Sequence, residues 1–211
     1  MLHKETVSPE CLQLIYDLMA IPALAPFRLV GGTALALQKG HRHSIDVDLF
    51  CSKDFNSEFI LEAIEASLYP ERPESIRMYP FGFFCNLREI KTDFMYWGHS
   101  FAEEPLILDN IRMASPGEIF AMKLQAIDGR RQKKDFIDIA LLLEDIPLSE
   151  ATKIFEKKYP EYDSSAIIKQ LAYFELAEDT PMPQMFSSLT WEQAKEKIQA
   201  AVKKYWDGEM N

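Results

Sequence analysis

The chain has 211 residues, 47% of them hydrophobic and 27% charged, the balance of a globular chain long enough to bury a full core. Its net charge of −10 sets the surface as a whole against nucleic acid, so any RNA or DNA contact has to use a local basic patch. The chain has no apolar run near the roughly 20 residues that span a bilayer and no signal-peptide core. Its three cysteines, Cys11, Cys51 and Cys85, are scattered without metal-ligand spacing. These features predict a cytoplasmic protein with reduced, packed thiols and no membrane association.

Ser8-Pro9-Glu10 is a helix start, with a capping side chain, proline at the first position and an early acid. The predicted helix runs to about Met19 and buries Leu12, Ile15, Tyr16 and Met19. A hydrophobic strand, Phe27 to Val30, stops at Gly31-Gly32; a short helix begins at Thr33 and stops at Gly40. A second strand, Ile45 to Phe50, contains Asp46 and Asp48. Ser57 to Tyr69 is amphipathic, with Phe59, Ile60, Ala63, Ile64 and Leu68 inward. Extended segments follow at Ser75–Tyr79, Phe83–Ile90 and Thr92–Trp97, then near Leu106–Leu108 and Ile111–Met113.

After Ser115-Pro116-Gly117-Glu118 the pattern turns helical, with Ser115 as N-cap and Glu118 placed as in a capping box. Helices are expected up to Gly129, then at Lys133–Glu144, Ser149–Lys158, Ser164–Leu176 and Thr190–Tyr205, with Pro181-Met182-Pro183 as a linker. The fold expected is α+β: a mixed β-sheet with flanking helices over residues 1–114, followed by a helical region over 115–211.

The chemistry concentrates around the two glycines and the two aspartates. Gly31 and Gly32 let the backbone turn sharply and expose N–H groups without a Cβ in the way. Thr33 can cap the following helix, whose N-terminus suits phosphate. On a strand, residues two apart share a face, so Asp46 and Asp48 project together, about 7 Å apart. Two like charges on a largely buried strand call for a cation between them, and oxygen ligands suit Mg²⁺. An edge strand whose aspartates face water is the bland alternative.

Two-metal phosphoryl chemistry uses a third acid. Asp93, inside the hydrophobic run Ile90–Tyr96, is the candidate; Asp54 follows the pair too soon and Asp109 sits in a turn-like context. Arg42 and Ser44 precede the aspartates, where they can meet phosphate. His41 and His43 flank Arg42 without a further ligand set, so a solvated loop is expected there rather than a zinc site. Downstream, Lys123 is a single cation on an apolar helix face, and Arg130, Arg131, Lys133 and Lys134 cluster just before Asp135. Cations at a helix N-terminus oppose the dipole, so an anion is expected nearby.

Gly-Gly, thirteen residues (33–45) and Asp-x-Asp between hydrophobic residues resemble the signature of the polymerase β-type nucleotidyltransferase superfamily. Arg42-x-Ser44-x-Asp46-x-Asp48-Leu49-Phe50, Lys91-Thr92-Asp93-Phe94, and Lys123 with a basic stretch ending Lys134-Asp135-Phe136-x-Asp138 narrow it to a resemblance to the AbiEii/AbiGii toxin family, over roughly residues 25 to 145. That resemblance implies an NTP-dependent, pyrophosphate-releasing nucleotidyltransferase, the toxin of a toxin–antitoxin or abortive-infection system with a cognate antitoxin encoded nearby. It implies two Mg²⁺ ions (Mn²⁺ substituting) on Asp46, Asp48 and Asp93, and catalytic charge neutralisation by Lys123. The nucleotide is expected on Gly31, Gly32, Thr33, Arg42, Ser44, Lys134 and Asp135. The acceptor is expected to be tRNA or another macromolecule, docked on Arg130, Arg131 and Lys133. Two alternatives stay open: a transferase for a small hydroxylated molecule, as in antibiotic nucleotidyltransferases, and a catalytically idle nucleotide- or partner-binding module.

Overall fold

The computed structural model describes residues 1–96 and 98–209; Trp97, the expected end of one strand, lies outside them. The chain forms two compact units, Met1–Ser115 and Pro116–Asn211. The first is a mixed sheet with flanking helices, the second is helical, and the fold class is α+β.

In the first unit, α1 (Pro9–Ala20) starts at Ser8, whose hydroxyl accepts from the Cys11 amide. Its buried stripe is Cys11, Leu14, Ile15, Leu18 and Met19, while Leu12 and Tyr16, expected inside, are only half-buried. Strand β1 (Arg28–Leu29), helix α2 (Gly31–Lys39) and strand β2 (Val47–Cys51) follow. Helix α3 (Ser57–Leu68) buries Ile60, Ile64 and Leu68. Phe59, also expected inside, is exposed, because the apolar face of this helix covers only one side of a two-sided pattern. Strands β3 (Glu74–Tyr79), β4 (Gly82–Leu87), β5 (Ile90–Tyr96), β6 (Leu106–Leu108) and β7 (Ile111–Met113) complete a sheet ordered β3-β4-β5-β2-β1-β7-β6.

The β2–β5 and β1–β7 pairs are parallel, and the other four are antiparallel. Central strand β2 alternates, with Val47, Leu49 and Cys51 buried on the core side, whereas β5 is buried on both faces from Thr92 to Met95. The expected strand Phe83–Ile90 is in fact a hairpin. It turns at Arg88-Glu89, both at positive φ (53° and 63°), a tight turn made without the glycine or asparagine that would announce it.

The second unit contains α4 (Pro116–Gly129), α5 (Lys133–Leu142), α6 (Leu148–Lys158), α7 (Ser164–Gln170), α8 (Glu175–Glu178) and α9 (Trp191–Glu209). Helix α4 packs on α5, α6 and α7, and α9 packs on α5 and α6. Phe136, Phe174 and Trp191 form an edge-to-face trio with centroids 5.2–5.8 Å apart. One helix was expected over 164–176, but the chain breaks after Gln170, which brings buried Phe174 onto Phe136. The capping-box residues have other partners: the Ser115 hydroxyl donates to the Glu103 carboxylate, and buried Glu118 pairs with Lys158 at 2.6 Å.

Candidate active site

The site begins where β1 meets β2. Leu29 pairs with Leu49, and the Val30 amide donates to the Asp48 carbonyl at 2.9 Å. The chain then enters α2 directly: Val30 is the N-cap, and both glycines lie in the first helical turn. The helix expected to begin at Thr33 therefore starts two residues earlier, at Gly31. Gly31 has φ +67°, and a Cβ on it would stand 2.7 Å from Asp48 Oδ2. Only glycine lets the free amides of this helix start lie so close to the carboxylate.

Thr33 does not cap. Its buried hydroxyl meets the Ser44 hydroxyl at 2.8 Å and the Asp46 carbonyl, pinning the loop that delivers the aspartates. Ser44 is likewise buried, and its amide donates to the Thr6 carbonyl at 2.9 Å. Arg42 is also buried; its Nη1 donates to the His43 carbonyl at 3.0 Å, and its Nη2 fills the space a Cβ on Gly32 would take. His41, expected in a solvated loop, is 1% exposed: Arg42 and Ser44 draw the segment inward. Together the Thr33, Arg42 and Ser44 contacts brace α2 against the Asp46 loop.

Asp46 lies just before β2, and Asp48 within it. The parallel β2–β5 register places Asp48 directly opposite Asp93, at the roughly 5 Å spacing of neighbouring strands. Two carboxylates so close on a covered sheet repel each other unless a cation intervenes. Lys91, two residues before Asp93 and on the same face, provides part of that charge: its Nζ lies 2.6 Å from Asp93 Oδ2. Burial works against the Lys91 ammonium, but its hydrogen bond to Asp93 and the fields of Asp93, Asp48 and Asp46 hold it above the ordinary lysine range. One ammonium thus senses all three acids.

The second Asp93 oxygen, Oδ1, is buried and has no hydrogen-bond partner. An orphaned buried carboxylate oxygen is costly. Beside a second carboxylate it forms the hard oxygen donor set that Mg²⁺ or Mn²⁺ prefers, so these residues fit a divalent metal. Among the described residues, no three His, Cys, Asp or Glu side chains stand grouped as a metal cluster. The thiols nearby are inert. Burial and the field of Asp93 push Cys85 up to about 12, and burial and the field of Asp46 push Cys11 up to about 11.

The other expected site residues belong to the helical unit, where several of them form a charge cluster. Lys123 is 4% exposed, with Nζ 2.7 Å from Asp135 Oδ1 and 2.6 Å from Asp138 Oδ2. Asp135 also lies 3.3 Å from Arg130 Nε. Of the basic stretch, Arg130 thus pairs with Asp135 within the same unit. Arg131 donates to Gln170 Oε1 at 2.7 Å, and Lys133 donates to the Glu178 carbonyl at 2.6 Å. Lys134 is half-buried at the start of α5. Lys91 was missing from the expected site residues; its place two before Asp93 on one strand face was the available signal.

Comparison with known proteins bears on the fold and the family. The family model for the nucleotidyl transferase AbiEii toxin of type IV toxin–antitoxin systems matches residues 13–74 and 72–208. An uncharacterised protein of Aquifex aeolicus is 33% identical over 192 residues, covering 85% of this chain and 87% of its own. A Helicobacter pylori structure assigned as a nucleotidyltransferase superposes with a TM-score of 0.61 at 18% identity, over 93% of this chain and 95% of that one. MenT4, a nucleotidyltransferase toxin of Mycobacterium tuberculosis, gives 0.57 at 14% identity, over 92% and 83%. With the AbiEii family model matched over most of its length, the chain belongs to the AbiEii family of nucleotidyltransferase toxins.

Proposed function

We propose that this nucleotidyltransferase moves an NMP from an NTP to an acceptor hydroxyl and releases pyrophosphate. The observation that carries the proposal is the facing pair Asp48 and Asp93 with the orphaned Asp93 Oδ1. Asp46 and Asp48 would hold two Mg²⁺ ions, and Asp93 would share one. Bound metal supplies neutralisation of phosphate charge and lowers the pKa of the acceptor hydroxyl.

The chain's own groups do the rest. Free amides at Gly31 and Gly32 bind the triphosphate at the start of α2. Asp93 accepts the proton of the acceptor hydroxyl, whose oxygen forms a bond to the α-phosphorus. The bond from that phosphorus to the bridging oxygen breaks, and pyrophosphate departs with the electron pair. Lys91 offsets charge beside Asp93. Thr33, Arg42 and Ser44 hold the Asp46 loop in place, a positioning role. Lys123 would act by holding Asp135 and Asp138 in the helical unit, with Lys134 beside them, rather than as a mobile phosphate ligand. The cell would deploy the reaction as a toxin restrained by a cognate antitoxin, in the cytoplasm, with an RNA such as tRNA as acceptor. A small cationic acceptor is the second reading, favoured by the net charge of −10.

The test is thermal. Mg²⁺ or Mn²⁺ with an NTP should raise the melting temperature of the wild type by ligand linkage. Asp46→Asn with Asp48→Asn should abolish that rise, and an undiminished rise in the double variant would sink the site. Asp93→Asn should keep NTP binding within a few-fold and cut turnover by about 10² or more, followed as labelled NMP incorporated from each NTP into a cell extract.

A further inference from the structure

The face that carries the carboxylates does not stop at β5. Asp93 on β5 pairs with Phe84 on β4, and Phe84 pairs with Arg77 on β3. With Asp48 this gives one cross-sheet row, Asp48, Asp93, Phe84, Arg77, with every side chain on the same face. Tyr79 stands two residues beyond Arg77 on that face, opposite Gly82, which has no side chain to cover it. A Cβ on Gly82 would collide with the Phe94 carbonyl, so none can be added there.

The rings on this face touch one another. Tyr79 lies 4.8 Å from Phe84, and it stacks on Phe81 at 5.5 Å with 16° between planes. The Lys91 ammonium sits 5.5 Å over Phe84, linking the rings to the carboxylate it also holds. All six residues of β3 are exposed. Arg77 makes no ion pair or side-chain hydrogen bond among the described residues.

We infer that this row is the acceptor platform: the rings of Tyr79, Phe81 and Phe84 stack the unpaired 3′-terminal base of an RNA, and Arg77 meets its phosphate. The inference rests on the transfer reading above and names its acceptor class. Three features select RNA over a small cationic acceptor. Aromatic faces with cations interleaved are how single-stranded nucleic acid is held without base pairing. Arg77 attracts phosphate and repels an ammonium-bearing ligand, while Lys91 offsets the charge of Asp93 beside the rings. Neighbouring strands lie about 5 Å apart, so a base on Phe84 and Tyr79 leaves its own sugar hydroxyl beside Asp93. An acidic chain can thus accept RNA through one aromatic row with a single phosphate-binding arginine rather than through its surface at large.

The experiment uses the full chain and two short single-stranded RNAs, one with an intact 3′-terminal base and one abasic at that position. Affinities come from fluorescence anisotropy. Wild type should bind the intact RNA about 5- to 150-fold more tightly than the abasic one, the range for one stacked base. Tyr79→Leu should lose that preference and bind both RNAs at the abasic level, while Tyr79→Trp should restore it. Arg77→Ala should weaken both RNAs and lower the slope of log affinity against log salt by about one. Equal affinity of wild type for the two RNAs would overturn the platform. So would an equal loss of both RNAs in Tyr79→Leu, or a cationic aminosugar whose binding, rather than that of RNA, depends on Tyr79. The metal–NTP thermal response of wild type reports on the transfer reading separately, so each can fail without the other.

Discussion

Replacing each glycine of the pair by alanine separates two roles that look alike in the sequence. At Gly31 the backbone has φ +67°, where an L-residue costs about 1 kcal/mol. The added methyl would also lie 2.7 Å from Asp48 Oδ2, so the carboxylate must leave its position, at about another 1 kcal/mol for an off-rotamer side chain. Gly31→Ala should therefore destabilise by about 2 kcal/mol, a fall of about 4–8 °C in melting temperature. Gly32 has no left-handed φ, and its methyl would meet only the end of the Arg42 guanidinium. Displacing the buried guanidinium from its hydrogen bond costs about 1.5–3 kcal/mol, of which alanine in a helix returns about 1 kcal/mol, so Gly32→Ala should cost about 1 kcal/mol, less than Gly31→Ala. Calorimetry with and without Mg²⁺ and NTP reads both effects: Gly31→Ala should lose most of the metal–nucleotide response because Asp48 has moved. A Gly31→Ala protein with wild-type melting and a wild-type response would refute the argument, as would a larger loss of stability in Gly32→Ala.

The helical unit offers two further tests. Lys123→Met leaves Asp135 and Asp138 buried without their shared ammonium, which should cost about 3–5 kcal/mol; adding Asp138→Asn should recover part of the loss in a thermal melt, and no recovery would mean that packing, not charge, was lost. Arg130, Arg131 and Lys133 already have partners inside this unit, so changing all three to alanine should lower the melting temperature while leaving the salt slope of RNA binding nearly as in wild type. A slope flattened by about three would return these residues to the RNA interface.

The local part of the site was legible in the sequence because its physics is local. Two glycines at a strand end, and carboxylates two residues apart inside a hydrophobic run, carry their meaning within a few residues. Helix starts such as Ser8-Pro9 are equally local, and the Ser8 hydroxyl does cap α1. The α+β class followed from the switch in hydrophobic period near Ser115. Tertiary structure decided whatever depends on which distant segments become neighbours. Asp48 faces Asp93 only because β2 and β5 pair in parallel with that register, and a slip of one residue would have turned Asp93 to the other face. The Arg88-Glu89 turn was hidden because pairing of β4 with β5 imposes positive φ on residues that do not seek it. The Thr33 hydroxyl does not cap α2 because it found partners in Ser44 and Asp46, eleven and thirteen residues on. The meaning of a lone cation was the least legible. Lys123 and Lys91 look alike as sequence, yet one is enclosed with Asp135 and Asp138 while the other stands half-exposed beside Asp93. Charge acquires its role from the partners that folding brings within a few ångströms, and sequence spacing does not encode those distances.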